Sequence, residues 1–176
     1  MDADGSRYAI LAHGYTANGR SMATFGKRFH EMGFTVLMPD LRGHGGSEGH
    51  YIGMGWHDRL DMLRWIDEIV RDDPEAEILL FGISMGGATV MMTSGEALPP
   101  NVKVIVEDCG YTSVWDEFSG QLKEQFGLPS YPIMQAASLM TKLRAGFWLS
   151  EADAAKQVAK STTPMLFIHG EDTIAV

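Results

Sequence analysis

Short apolar runs alternate along this chain with longer stretches in which apolar side chains recur every three or four positions. Tyr8 to His13, Phe34 to Met38, Glu77 to Phe81, Val102 to Val106 and Met165 to Ile168 are brief and aliphatic or aromatic. Gly14 closes the first and Pro39 the second. Runs of this kind, apolar throughout rather than alternating, are the pattern of strands buried on both faces, as in a parallel sheet.

The segments between them read as helices. Ser21 to Met32 places Phe25 and Phe29 on one face and stops at Gly33. Trp56 to Arg71 carries Leu60, Leu63, Ile66 and Val70 at helical spacing, with Pro74 beyond its end. A third helix is predicted from Ser84 or Met85 to about Ala97, stopped by Pro99 and Pro100. Strand and helix in alternation predict an α/β fold, a mostly parallel sheet with helices on both faces. Tyr111 to Thr163 departs from the rhythm: it has aromatic residues among helix formers and no strand pattern. Roughly 50 residues exceed an ordinary connection between helix and strand. The expectation is therefore a single domain over residues 1–176, with a helical cap inserted at about 111–163 over the sheet's carboxyl edge, where ligands bind in such sheets.

Composition narrows the partners. The 176 residues are 45% hydrophobic and 21% charged, an ordinary globular balance, and the net charge is −9. Nucleic acid or an anionic membrane surface would call for a clustered basic face, which is missing here. The single cysteine, Cys109, allows no internal disulfide, and no apolar run approaches the roughly 20 residues of a membrane span. The first residues have neither the basic nor the apolar region of a signal peptide. The expectation from these features is a cytoplasmic protein acting on a small molecule.

The candidate chemistry centres on Gly82-Ile83-Ser84-Met85-Gly86. Glycines two before and two after a serine let it sit in a tight strand-to-helix turn with its hydroxyl projecting. The following residue opens a helix, so its N–H faces an oxyanion developing on a substrate held at the serine. As bare text the pattern arises by chance in roughly one chain of this length in twenty. Here a strand ends just before it and an apolar helix, Ala88 to Met92, follows. His13-Gly14-Tyr15, after the first strand, offers a second backbone donor at Tyr15, with the His13 side chain capping the strand end. The loop from Pro39 to Gly49 is glycine-rich, and Asp40, Arg42 and His44 are suited to pinning it by hydrogen bonds. It lacks the Lys-Ser/Thr ending of a phosphate-binding loop.

His13-Gly14 with Asn18, the Asp40 to Gly49 run, the Gly82 to Gly86 turn, Glu107 to Ser113 and Phe167-Ile168-His169-Gly170 occur in the order found in α/β-hydrolases. Over nearly its whole length the chain resembles the bacterial esterase and serine-aminopeptidase-like branch of that superfamily. The resemblance implies a Ser–Asp–His triad in that chain order, an oxyanion hole of two backbone amides, here those of Tyr15 and Met85, and no cofactor or metal. It makes Ser84 the nucleophile of a hydrolase acting on an ester or a peptide-like substrate. Peptide, amide and thioester cleavage use the same parts. A dehalogenase of this fold would need an aspartate in place of Ser84.

The acid and the base fit the pattern less well. In the family the acid follows the His-Gly pair by three residues; Asp172 follows Gly170 by two, and Asp172-Thr173 resembles the family's acid dipeptide. Asp172 is the chosen acid. Asp108, after the fourth strand, is the alternative, its other role being to hold the Tyr111–Ser113 turn. The family's base lies one helix and strand later, and no histidine follows Asp172. The six histidines, His13, His30, His44, His50, His57 and His169, all precede it, and His169 stands at a strand end, placed to pack or to cap. The resemblance therefore implies the central part of a larger hydrolase, truncated at both ends. The rival expectation is a catalytically silent hydrolase-like domain that binds a small ligand.

Overall fold

In the computed structural model, residues 5–170 are described. Five strands form one parallel sheet: β1 (Arg7–Ala12), β2 (Thr35–Leu37), β3 (Glu77–Ile83), β4 (Val102–Asp108) and β5 (Met165–Ile168), in the order β2-β1-β3-β4-β5. β3 and β4 each run two residues beyond the apolar runs that announce them. Their ends stay paired, Gly82 with Glu107 and Ile83 with Asp108, so ladder hydrogen bonding, which side-chain patterns do not report, sets the boundary.

The helices divide between the faces as expected. On one side a 3-10 turn (Gly19–Met22) leads into α1 (Ala23–Glu31), where Ser21 N–H is capped by Asn18. Phe25 and Phe29 of α1 pack on Phe81 of β3 at ring separations of 5.1 and 5.6 Å. Ala9, Leu11, Met22, Val36 and Phe81 form the buried cluster of this face. The opposite face is larger. There α2 (Asp58–Asp72) contributes Met62 and Ile66, and α3 (Met85–Ser94) is buried along its whole length. Alternate residues of β1, Ala9 and Leu11 against Ile10 and Ala12, serve the two clusters.

α3 ends at Ser94, earlier than the prolines imply. The residue that follows, Gly95, packs closely on the short helix Ala154–Val158, where a Cβ would overlap the side chain and backbone of Gln157. Between β4 and β5 lie α4 (Val114–Phe126), α5 (Ser130–Ala145) and the short α6 (Ala154–Val158). Ser113 caps α4 by accepting from Asp116 N–H at 3.0 Å, and left-handed Gly127 and Gly146 end α4 and α5. The two ends of this excursion meet: Val114 N–H donates to Ala152 at 2.9 Å and Ala154 N–H to Thr112 at 2.8 Å. It thus leaves and rejoins the sheet at one place. Among the described residues, no helix is long and apolar enough to cross a membrane.

Phe81 anchors the smaller face against both aromatic residues of α1. Replacing it with alanine leaves a cavity between helix and sheet, and Phe81→Ala should destabilise the fold by about 3–5 kcal/mol. Urea unfolding measures this; a loss below about 1 kcal/mol would show that the face collapses around the gap.

Candidate active site

Parallel pairing brings the carboxyl ends of β1, β3 and β4 side by side, Ala12 beside Gly82 and Gly82 beside Glu107. The loops that leave these three ends therefore share one rim of the sheet.

Ser84 stands on this rim between β3 and α3, with φ 55° and ψ −119°. That conformation is strained for a residue with a Cβ, and close backbone packing on either side sustains it. A Cβ on Gly82 would overlap the Gly86 carbonyl, and one on Gly86 would overlap the carbonyls of Ala12 and His13. Ser84 N–H donates to the Asp108 carbonyl at 2.8 Å, and the Ser84 carbonyl accepts from Ala88 N–H at 2.9 Å. The backbone is thus fixed at both ends, while the side chain is exposed and makes no capping bond to α3. Met85, fully buried, is the first residue of α3, so its N–H has no partner within the helix and points the helix's positive end toward Ser84.

Gly14 lies directly across from the turn. A Cβ placed on it would sit 3.5 Å from Ser84 Cβ, in ordinary contact. This brings the start of the His13-Gly14-Tyr15 loop against the serine. Of the site residues expected from sequence, Ser84, Met85 and the Tyr15 loop thus gather on one rim. Asp172 lies outside the described residues.

Two histidines shape the Tyr15 loop. His13 is fully buried; its Nδ1 donates to the Gly14 carbonyl at 2.8 Å and its Nε2 accepts from Leu41 N–H at 3.0 Å. His44 Nε2 accepts from Thr16 N–H at 3.3 Å, and its Nδ1 donates to the Arg42 carbonyl at 3.1 Å. The rings meet edge to face, 4.9 Å apart. Each ring donates one bond and accepts one, which joins the loop after β1 to the loop after β2. Asp40 completes the clasp, accepting from Gly19 and Gly46 N–H at 2.7 Å each. Those two amides hold its carboxyl below the usual range.

The other histidines are engaged elsewhere or stand apart. His57 Nε2 donates to the Ala145 carbonyl at 2.8 Å, His30 is in the last turn of α1, His50 is exposed on the loop before Tyr51, and His169 is exposed after β5. Among the described residues none hydrogen-bonds the Ser84 hydroxyl. In the turn after β4, Glu107 accepts from Gly110 N–H at 2.8 Å while almost wholly buried, and Asp108 bonds the Cys109 thiol. Burial pushes the Glu107 carboxyl up, and the Gly110 amide opposes that shift. Periodicity places Glu107 at a buried strand position; the acidic residue there is the sequence signal.

A cavity of about 560 Å³ opens beside the rim, between the Gly49–Met54 loop and helices α4 and α5. Tyr15 forms part of its wall, with Tyr51, Ile52, Met54, Phe118 and Phe147. Its size and apolar character suit a small organic ligand. Among the described residues, no group of three or more His, Cys, Asp or Glu could hold a metal ion.

Burial lowers the pKa of His13 below its ordinary 6.5, helped by His44 and opposed by the Gly14 carbonyl and Asp40. The folded protein therefore binds a proton at His13 less readily than the unfolded chain. Its contribution to stability is full above about pH 6.5 and is lost as pH falls below that value. His13→Asn should flatten the stability profile between about pH 5 and pH 7. Thermal unfolding across that range checks this, and a variant as acid-sensitive as the parent refutes it.

Comparison with known proteins agrees with this geometry. The chain is 26% identical to the protein YqkD of Bacillus subtilis over 164 residues, covering 93% of this chain and 54% of that protein. It is 30% identical over 103 residues to the 2-succinyl-6-hydroxy-2,4-cyclohexadiene-1-carboxylate synthase of Salmonella agona, 58% of this chain and 38% of the enzyme. The chain thus spans about half the length of YqkD, or less than half of the synthase. In structure it is similar to the Pyrococcus furiosus esterase Pf2001, with a TM-score of 0.74 at 22% identity, covering 99% of this chain and 65% of the esterase. The Paleococcus ferrophilus monoacylglycerol lipase matches with a TM-score of 0.62 at 18% identity, covering 96% of this chain and 74% of the lipase. These likenesses place the sheet and its helices in the α/β-hydrolase fold. Because the sequence model of the serine aminopeptidase family, S33, matches residues 6–107, which hold both the Tyr15 loop and the Ser84 turn, this chain belongs to that family of hydrolases.

Proposed function

We propose that the chain carries the nucleophile of a serine hydrolase that cleaves carboxylic esters through an acyl-enzyme. The strained, exposed Ser84 at the mouth of α3 carries this reading. Its hydroxyl attacks the ester carbonyl carbon, and the carbonyl oxygen takes the negative charge between the Tyr15 and Met85 N–H groups. Both donors are backbone, so they stand in place before the charge develops.

The proton from Ser84 passes to a histidine, which returns it to the departing alcohol. Water then attacks the acyl carbon by the same route and frees Ser84. We assign that histidine to the part of a full-length protein that this segment does not span, oriented by Asp172. The α4–α5 excursion serves as the cap, and the cavity beneath it takes the apolar part of the substrate. The reaction as drawn uses no cofactor and no metal.

An ester fits better than a peptide N-terminus. An aminopeptidase needs a carboxylate to receive the substrate's ammonium group, and the described cavity wall offers no Asp or Glu.

The protein at its full natural length, treated with a fluorophosphonate, should gain one adduct on the peptide bearing Ser84, and Ser84→Ala should abolish it. The same variant should lower kcat on p-nitrophenyl esters by about 10⁴–10⁶-fold. Absence of the adduct from the full-length protein removes the nucleophile from Ser84; faster turnover of aminoacyl anilides than of esters overturns the ester assignment.

A further inference from the structure

The cavity wall is mostly apolar, broken by the polar groups of Tyr15, His50, Tyr51, Thr141 and Arg144. Residues Met140, Thr141, Arg144 and Ala145 of α5 line it from the cap side. They recur at one helical face, so Arg144 faces the recess together with Met140 and Thr141. Among the described lining residues, Arg144 is the one side chain with a fixed charge.

Arg144 makes no ion pair with any described residue. The nearby acid, Glu151, is already engaged: it accepts from Trp148 N–H at 2.6 Å and pairs with Lys142 Nζ at 3.6 Å. Lys142 also bonds the Gly146 carbonyl at 3.0 Å, so it supplies the counter-charge to the end of α5. Arg144 is not needed for that purpose. Its planar fork of donors is left beside an apolar space in a protein whose net charge is −9. A guanidinium in that setting is matched by a carboxylate or another planar anion, held by paired hydrogen bonds.

The same cavity is lined by Tyr15, whose loop abuts Ser84. One cavity therefore connects the proposed oxyanion donor with a cation on the cap that no described acid neutralises. We infer that Arg144 selects substrates bearing an anionic group at the end of an apolar body, remote from the ester that Ser84 attacks. The inference rests on the nucleophile reading only for which bond is broken; the charge selection is a binding property of the cavity.

The test separates the two. The full-length Ser84→Ala protein, which binds without turnover, is titrated calorimetrically with monomethyl suberate and with dimethyl suberate. These esters differ only in whether the far end is a carboxylate. The half-ester should bind at least about tenfold more tightly than the diester. Arg144→Gln should remove that preference while leaving the diester affinity within about twofold, Arg144→Lys should retain part of it, and Arg144→Glu should reverse it. Arg144 is exposed, and an unchanged melting temperature verifies each variant's fold. Equal affinities for the two esters, failure of the half-ester to bind, or a preference that survives Arg144→Gln would each overturn the inference. A preference that persists in a protein whose Ser84 takes no fluorophosphonate would uphold the anion site and reject the nucleophile instead.

Discussion

The rim of this molecule is built on backbone meeting backbone without an intervening Cβ. Gly82 sits against the Gly86 carbonyl, and Gly86 sits against the carbonyls of Ala12 and His13. That contact lets α3 start one residue after β3 and drives its amino end into the end of β1. Ser84 is then forced to positive φ, where most side chains are unfavourable, and its hydroxyl is lifted clear of the turn. Any side chain larger than hydrogen at Gly86 would push α3 outward and separate Met85 from the Tyr15 loop. The strain at one residue is sustained by an extensive buried interface, because α3 is buried along its length and β1 and β3 are paired over six positions.

Around that contact the polar groups divide into those that fix loops and those left free. His13, His44 and Asp40 have their lone pairs and protons engaged by neighbouring backbone groups. Glu107 does the same beneath the turn after β4. Buried polar groups with partners rigidify the loops and make them sensitive to protonation. Ser84 and Arg144 are the contrast, with exposed side chains that no described residue engages. Under the proposed function, a site that holds its scaffold polar groups tightly and leaves its reactive ones free is organised before substrate arrives.

The excursion between β4 and β5 depends on a different device. Paired backbone bonds close its base at Thr112–Val114 and Ala152–Ala154, so roughly forty residues of mostly helix stand on one narrow stem. Such an arrangement separates the sheet, which fixes the Ser84 turn, from the helices that shape the cavity. Residues on α5 are accordingly free to set what the cavity prefers without disturbing the turn at Ser84.

The sequence by itself determined the parallel sheet, the helices on its two faces and the turn at Ser84, since each rests on local features: apolar runs buried on both faces, periodic apolar positions, and glycines at fixed offsets from a serine. His13 as a strand-end cap and Asp40 as a pin of its own loop were legible for the same reason, whereas their bonds to Leu41 and Gly19 join loops 28 and 21 positions apart. Tertiary structure decided what depends on residues far apart in the chain. The ends of β3 and β4 follow ladder pairing, and the residue after α3, Gly95, lies against Gln157. Tyr15 and Arg144 stand 129 positions apart in the sequence, and no periodicity relates them. Only folding α5 back over the sheet brings both into the lining of one cavity.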